Sequence, residues 1–241
     1  MDPNVHFSIE QCPSTPNQSA RMQGVPYIEA IGSVLWPAVV SRPDIAFAVG
    51  ILSQFVQNPG SVHWEALKWI IIYLKITKDL WLTFGGKSKT LVKGYCDADW
   101  ASQKHRHSIS RYLFNFGTGA ISWSLKKQHI IALSSTEAEY IAQTHAAKEA
   151  LWLWSCVEEI WGVKVEAMNI NYNNQGAIAL AKDNKYHSRT KHIDLRYHFI
   201  HEAVEDEKIL VTYIPTDKNL SNILQRCLQG RNSKGSLQNW V

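Results

Sequence analysis

Between Ser134 and Gly162 the residues Ile141, Ala142, Ala146, Ala150, Leu153, Val157 and Trp161 recur at roughly helical spacing, with no proline or glycine to interrupt them. A stripe of that length predicts one long helix with a single apolar face, which the rest of the fold has to cover. Ser134-x-x-Glu137 supplies its start as a capping box, because serine and glutamate side chains take up N–H groups that a first helical turn leaves unpaired. Upstream the period changes. Leu91 to Cys96, Ser110 to Gly117 and Ala120 to Leu133 are short, rich in Tyr, Phe, Ile and Trp, and separated by turn residues, which predicts three antiparallel strands. Downstream, Val165 to Tyr172 alternates as a fourth strand and Ile209 to Ile214 forms a fifth. Helices are predicted at Gln175 to Lys182, Ile193 to Val204 and Asn219 to Leu228. The order βββαβααβα predicts an α/β fold, a mixed five-stranded sheet with helices on its faces.

The chain divides by composition into four stretches. Residues 1–24, rich in Pro, Ser, Asn and Gln, read as a flexible tail with too little apolar material to pack. Residues 25–88 read as a small helical segment: Ile28, Ile31, Val34 and Leu35 share a face, Pro43 opens a helix carrying Ile45, Ala48, Leu52 and Phe55, and Ser61 to Lys75 carries Trp64, Leu67, Ile71 and Leu74. Residues 89–228 hold the α/β domain and 229–241 a second tail.

A hydrophobic fraction of 45% over 241 residues supports a packed core, and a net charge of +4 permits a nucleic-acid partner without demanding one. Cys12, Cys96, Cys156 and Cys227 stand far apart, which disfavours zinc knuckles and a disulfide framework. No apolar run reaches the length of a membrane span, and residues 1–17 lack the pattern of a secretory signal, so no membrane partner and an intracellular site, cytoplasmic or nuclear, are expected. Oligomeric state leaves no mark in the sequence.

Chemistry concentrates in two acidic places, Asp97 at the end of the first strand and Glu139 near the start of the long helix. Two carboxylates brought together from separate elements hold a divalent cation through hard oxygen ligands, a site suited to nucleic-acid cleavage. Asn173 and Asn222 stand downstream where such a site would want charge. A basic series, Lys182, Lys185, Arg189, Lys191 and Arg196, reads either as a solvated face or as phosphate contacts. His192, His198 and His201 have no acidic or cysteine partner at ligand spacing and read as solvent-facing, and Trp100, Trp123 and Trp152 read as core.

Five blocks in order carry a family resemblance: Tyr95-Cys96-Asp97-Ala98-Asp99-Trp100-Ala101, Gly119-Ala120-Ile121-Ser122-Trp123, Ala132 to Ala142, Asn174-Gln175-Gly176-Ala177-Ile178 and His187 to Asp194. The sequence resembles the ribonuclease H region of copia-type retrotransposon Pol polyproteins. Val25-Pro26-Tyr27, Ser41 to Ala46 and Asn58 to Ala66 resemble the connection that follows the reverse-transcriptase domain in that family. The resemblance implies a ribonuclease H-like fold and, as the family reaction, hydrolysis of RNA in RNA–DNA hybrids by two Mg²⁺ or Mn²⁺ ions held by four carboxylates. The paired aspartates of a polymerase palm are absent from this sequence.

Carried over by motif, the four corners are Asp97, Glu139, Asn173 and Asn222, the last two standing where the family has Asp. Two divalent ions about 4 Å apart repel by roughly 17 kcal/mol at an effective dielectric near 20, and anionic ligands make such a pair tolerable. With two of four charges gone, the resemblance implies weak or single-site Mg²⁺ or Mn²⁺ binding through Asp97 and Glu139 and catalysis impaired or lost. Two alternatives stay open, an active ribonuclease H with a reduced metal site and a non-catalytic relic that binds nucleic acid. On sequence grounds, returning Asn173 and Asn222 to Asp is expected to restore cleavage.

Overall fold

The computed structural model describes residues 7–85, 92–101, 106–162, 166–182 and 194–224. Two compact units divide the chain, Met1–Thr83 with Ile223–Val241, and Phe84–Asn222.

In the first unit the expected tail contains a helix, α1 (Pro16–Met22). Thr15 caps it: its hydroxyl accepts the Gln18 N–H, and the Gln18 side chain accepts the Thr15 N–H in return. Helices α2 (Tyr27–Val40), α3 (Ala46–Leu52) and α4 (Ser61–Ile76) form the core, with 3-10 turns at Pro43–Ile45 and Ser53–Phe55 on either side of α3. The buried face of α2 is Tyr27, Ile31, Val34 and Ala38, while Ile28 and Leu35 are exposed. On that face the Tyr27 hydroxyl donates a buried hydrogen bond to the Leu52 carbonyl at 2.9 Å. On α4 the buried pair is Leu67 and Ile70, with Ile71 exposed. Arg42, Asp44, Tyr73 and Thr77 form one polar network, in which the Asp44 carboxylate accepts from Arg42 Nε and Nη2 and from the Tyr73 hydroxyl.

The second unit is one sheet of β1 (Val92–Asp99), β2 (Ile109–Phe116), β3 (Gly119–Lys127), β4 (Met168–Tyr172) and β5 (Ile209–Tyr213), with α5 (Ser135–Trp161), α6 (Gln175–Lys182) and α7 (Asp194–Glu205). Strand order is β3-β2-β1-β4-β5. Strands β1, β2 and β3 pair antiparallel, and β4 and β5 run parallel to β1. This is the mixed five-stranded α/β sheet that the order of elements predicts, and it agrees with the fold that the resemblance implies. Among the described residues no helix is long and apolar enough to cross a membrane.

Helix α5 lies against β1 and β2. Its buried face is dominated by Ala138, Ala142, Ala146, Ala147 and Ala150, so the helix approaches the sheet closely and Cys96, Phe114, Ile170 and Tyr172 fill the core between them. Gly94 completes that fit, because a Cβ there would lie 2.5 Å from Cε1 of the fully buried Phe114.

Three boundaries differ from the sequence reading. Strand β1 continues past Asp97 to Asp99, which pairs with Ile109. Strand β3 stops at Lys127; the Gln128 N–H donates to the Ser108 carbonyl, and its side chain donates to the Ser110 hydroxyl and the Ala138 carbonyl. After β5 the chain makes 3-10 turns at Thr216–Lys218 and Leu220–Leu224, the second of them within Asn219 to Leu228, where a helix was expected. There the Asn219 side chain takes the Ser221 N–H and hydroxyl, a local bond that competes with helix formation; residues 225–228 of that predicted helix lie outside the described residues. Trp100 and Trp152, expected in the core, are 50% and 60% exposed. The indole of Trp100 instead donates to the Ala132 carbonyl.

Gly94→Ala is expected to force Phe114 from its seat and cost about 1–3 kcal/mol. A lower urea midpoint with an unchanged slope would show it; an unchanged midpoint would refute the close-packing argument.

Candidate active site

Parallel strands β1 and β4 pair only over Lys93 to Tyr95. Beyond Tyr95 they separate, and side-chain amides take over from the ladder. The Asn171 amide donates to the Gly94 carbonyl and the Asn219 amide to the Cys96 carbonyl, both at 2.9 Å and both buried. These amides lie at the carboxyl ends of parallel strands, the position where open α/β sheets place their ligands.

Four elements meet there. Asp97 comes from β1, Glu139 from the start of α5, Asn173 from the turn after β4 and Asn222 from the 3-10 turn after β5. Helix α5 is fixed at that end by Ser134, whose hydroxyl accepts the Glu137 N–H, and by Glu137, whose carboxylate accepts the Leu133 N–H. Gln128 adds a buried tie from Ser110 on β2 to Ala138 on α5, one residue before Glu139.

The four side chains converge around a fifth that the sequence reading did not single out. Arg111 on β2 is the direct cross-strand partner of Asp97. Its Nε donates to Asp97 Oδ2 at 2.9 Å, its Nη2 donates to the same oxygen, and Nη2 also donates to Asn222 Oδ1 at 3.3 Å. Asn173 Nδ2 donates to Asp97 Oδ1 at 3.0 Å, an orientation that sets an N–H against the carboxylate. The opposite orientation would face oxygen with oxygen. Asn222 Nδ2 donates to the Thr216 carbonyl. Asp97, Arg111 and Glu139 are 3%, 5% and 7% exposed.

Glu139 lies against Asp97. Burial first, then the Asp97 charge and a hydrogen bond between the two carboxyl groups, push Glu139 up to about 9, while Arg111 and the Ala98 N–H pull the other way.

A pair of divalent ions does not fit this donor set. Asn173 points an N–H at Asp97, Asp97 is engaged by Arg111, and among the described residues no three His, Cys, Asp or Glu side chains gather where an ion would need them. Of the basic series, Lys182 is exposed at the end of α6; Arg196 belongs to α7; Lys185, Arg189 and Lys191 lie outside the described residues, as does His192. His198 is exposed, and His201 Nδ1 lies 3.3 Å from Glu205 Oε1.

No family model matches the chain. The retrovirus-related Pol polyprotein from transposon TNT 1-94 of Nicotiana tabacum is 46% identical over 224 residues, which are 92% of this chain and 17% of that protein. The secreted RxLR effector protein 161 of Plasmopara viticola is 47% identical over 133 residues, 55% of this chain and 94% of that protein. Among solved structures, LC11-RNase H1 in complex with an RNA/DNA hybrid aligns with 53% of this chain and 88% of its own, at 13% identity and a TM-score of 0.41. The chain thus spans about a sixth of the length of the tobacco polyprotein.

Two outcomes follow from the buried carboxyl groups. Because the folded state keeps the Glu139 proton that the unfolded chain releases near pH 4.5, this group's stabilisation is full below that pH and is lost as pH rises toward 9. Glu139→Gln keeps the hydrogen bonds without the ionisation, so in metal-free buffer its urea midpoint is expected to fall less between pH 5.5 and 8.5 than the parent's; equal falls would mean Glu139 is ionised in the fold. Separately, Arg111→Met strands the Asp97 charge and is expected to cost about 3–5 kcal/mol, most of it recovered by adding Asp97→Asn. Simple additivity in a double-mutant cycle would deny the pairing.

Proposed function

Since the chain belongs to the copia-type retrotransposon Pol polyproteins, we propose that its ribonuclease H-like domain retains the family's site geometry but has lost or nearly lost metal-dependent hydrolysis of RNA in RNA–DNA hybrids. One observation carries this reading: two of the four converging corners are Asn, and one of them, Asn173, turns its N–H toward Asp97 where a ligand oxygen would be needed. Asp97 and Glu139 remain as the acids, and Asn222 presents only a neutral oxygen, already taken by Arg111. Hydrolysis by the two-metal route needs an ion on each side of the scissile phosphate, one activating water and one stabilising the leaving oxygen. A site whose Asp97 is held by Arg111 and faced by an amide N–H provides neither.

What the domain keeps is a surface for nucleic acid. Lys182 is exposed at the end of α6, the helix that follows the Asn173 turn, and Lys185, Arg189, Lys191 and Arg196 extend the basic series along the sequence. We assign this series to phosphate contacts with a hybrid or another nucleic acid in an intracellular setting.

Purified protein, a labelled RNA–DNA hybrid and Mg²⁺ or Mn²⁺ decide between loss and retention. Product no greater than that of an Asp97→Asn control is expected, together with hybrid binding whose affinity falls steeply with salt. Metal-dependent cleavage that the control abolishes would overturn the reading.

A further inference from the structure

We infer that Arg111 is the resident cation of this site, seated between Asp97 and Asn222 where a divalent ion would bind, so that the cluster is closed by protein groups alone and returning Asn173 and Asn222 to Asp does not by itself restore metal binding. The inference rests on the assignment of these four residues as the site's corners and adds the reason why the corners alone do not decide the chemistry.

A carboxylate accepts at about four lone-pair positions. Asp97 receives two hydrogen bonds from Arg111 on Oδ2 and one from Asn173 on Oδ1, so both of its oxygens are engaged by the chain itself. A cation at the 2.0–2.1 Å that Mg²⁺ requires would have to compete with these donors for the same two oxygens.

The second argument is location. Arg111 is held by the sheet, because it is paired with Asp97 across the β1–β2 ladder and is 5% exposed. Its Nη2 reaches Asp97 and Asn222 at once, so the guanidinium spans two of the four corners. A fixed positive charge there repels an incoming dication, and a planar fork of donors matches carboxylate and amide oxygens better than an octahedral ion with bound waters does.

The third is what reversion would do. Asp at 222 would offer Arg111 a second carboxylate in place of an amide oxygen, and a charge-assisted bond is the stronger one. Reversion therefore tightens the grip of Arg111 unless Arg111 is removed.

The test compares the parent, Asn173→Asp with Asn222→Asp, and the same double variant carrying Arg111→Gln, each checked for folding by far-UV circular dichroism and titrated with Mg²⁺ and Mn²⁺ while the melting temperature is followed. Bound metal raises the melting point in a saturable way. A shift below 1 °C at 10 mM Mg²⁺ is expected for the parent and the double variant, and several degrees for the triple variant. An equal shift in the double and triple variants would overturn the inference. Should the triple variant fail to fold, the parent still decides: substoichiometric Mn²⁺ is expected to leave the Asp97 and Ala98 amide resonances unbroadened, and selective broadening there would overturn the proposal. Broadening without hybrid cleavage would sink this inference and leave lost catalysis standing; cleavage by the parent would sink that reading.

Discussion

A carboxylate that is 3% exposed has to be compensated wherever the fold places it, and Asp97 is the residue around which the second unit is arranged. Removing its charge from water costs several kcal/mol even after relaxation, and only a well-formed partner offsets that. Arg111 is the partner, directly across the ladder, and its position ties the register of β1 and β2 to the site. A one-residue slip would carry Arg111 to the other face of the sheet and leave Asp97 alone. The same carboxylate takes a hydrogen bond from the start of α5 through Glu139 and from the end of β4 through Asn173. Three elements are thus indexed to one side chain. The pair adds little net stability against an apolar replacement, but breaking it is costly, and that asymmetry makes it a specificity device.

Strands β1 and β4 stop pairing early. Ordinarily an interrupted ladder leaves buried carbonyls without donors, which is expensive. Asn171 and Asn219 remove that cost by reaching the Gly94 and Cys96 carbonyls with their side chains. Asn219 also bonds Ser221, which shapes the turn that presents Asn222. The alanine face of α5 brings the helix close to β1 and sets Glu139 against Asp97. Scaffold and site are one set of contacts.

The long helix, the three antiparallel strands and the two parallel ones were legible because their periodicity reflects burial, and burial follows from sequence spacing. Their ends were less legible. Strand β1 runs to Asp99 because it finds a partner in Ile109 there, and β3 stops at Lys127, while the expected strand ran on to Leu133. On α2 the buried stripe is Tyr27, Ile31, Val34 and Ala38, a face whose tyrosine and alanine an aliphatic count passes over. Asp97, Glu139, Asn173 and Asn222 were legible only through family wording. Arg111 was not legible at all: a single arginine among Ile109, Tyr112, Leu113 and Phe114 resembles an edge or surface residue until the register sets it opposite Asp97. The loop joining the two strands is too long for a hairpin rule to give that register.

Charge explains why the two asparagines and the arginine belong together. A buried cluster is tolerated when its sum is near zero. Four carboxylates around two dications reach zero, and the Arg111 guanidinium likewise offsets the Asp97 carboxylate where Asn173 and Asn222 bring no charge. Mixed cases do not close. Arg111 beside four ionised acids and two dications would leave an unbalanced positive charge, while two asparagines without Arg111 would leave Asp97 buried without its guanidinium. The three residues are therefore one electrostatic state of the pocket, and changing any one alone moves the cluster away from neutrality.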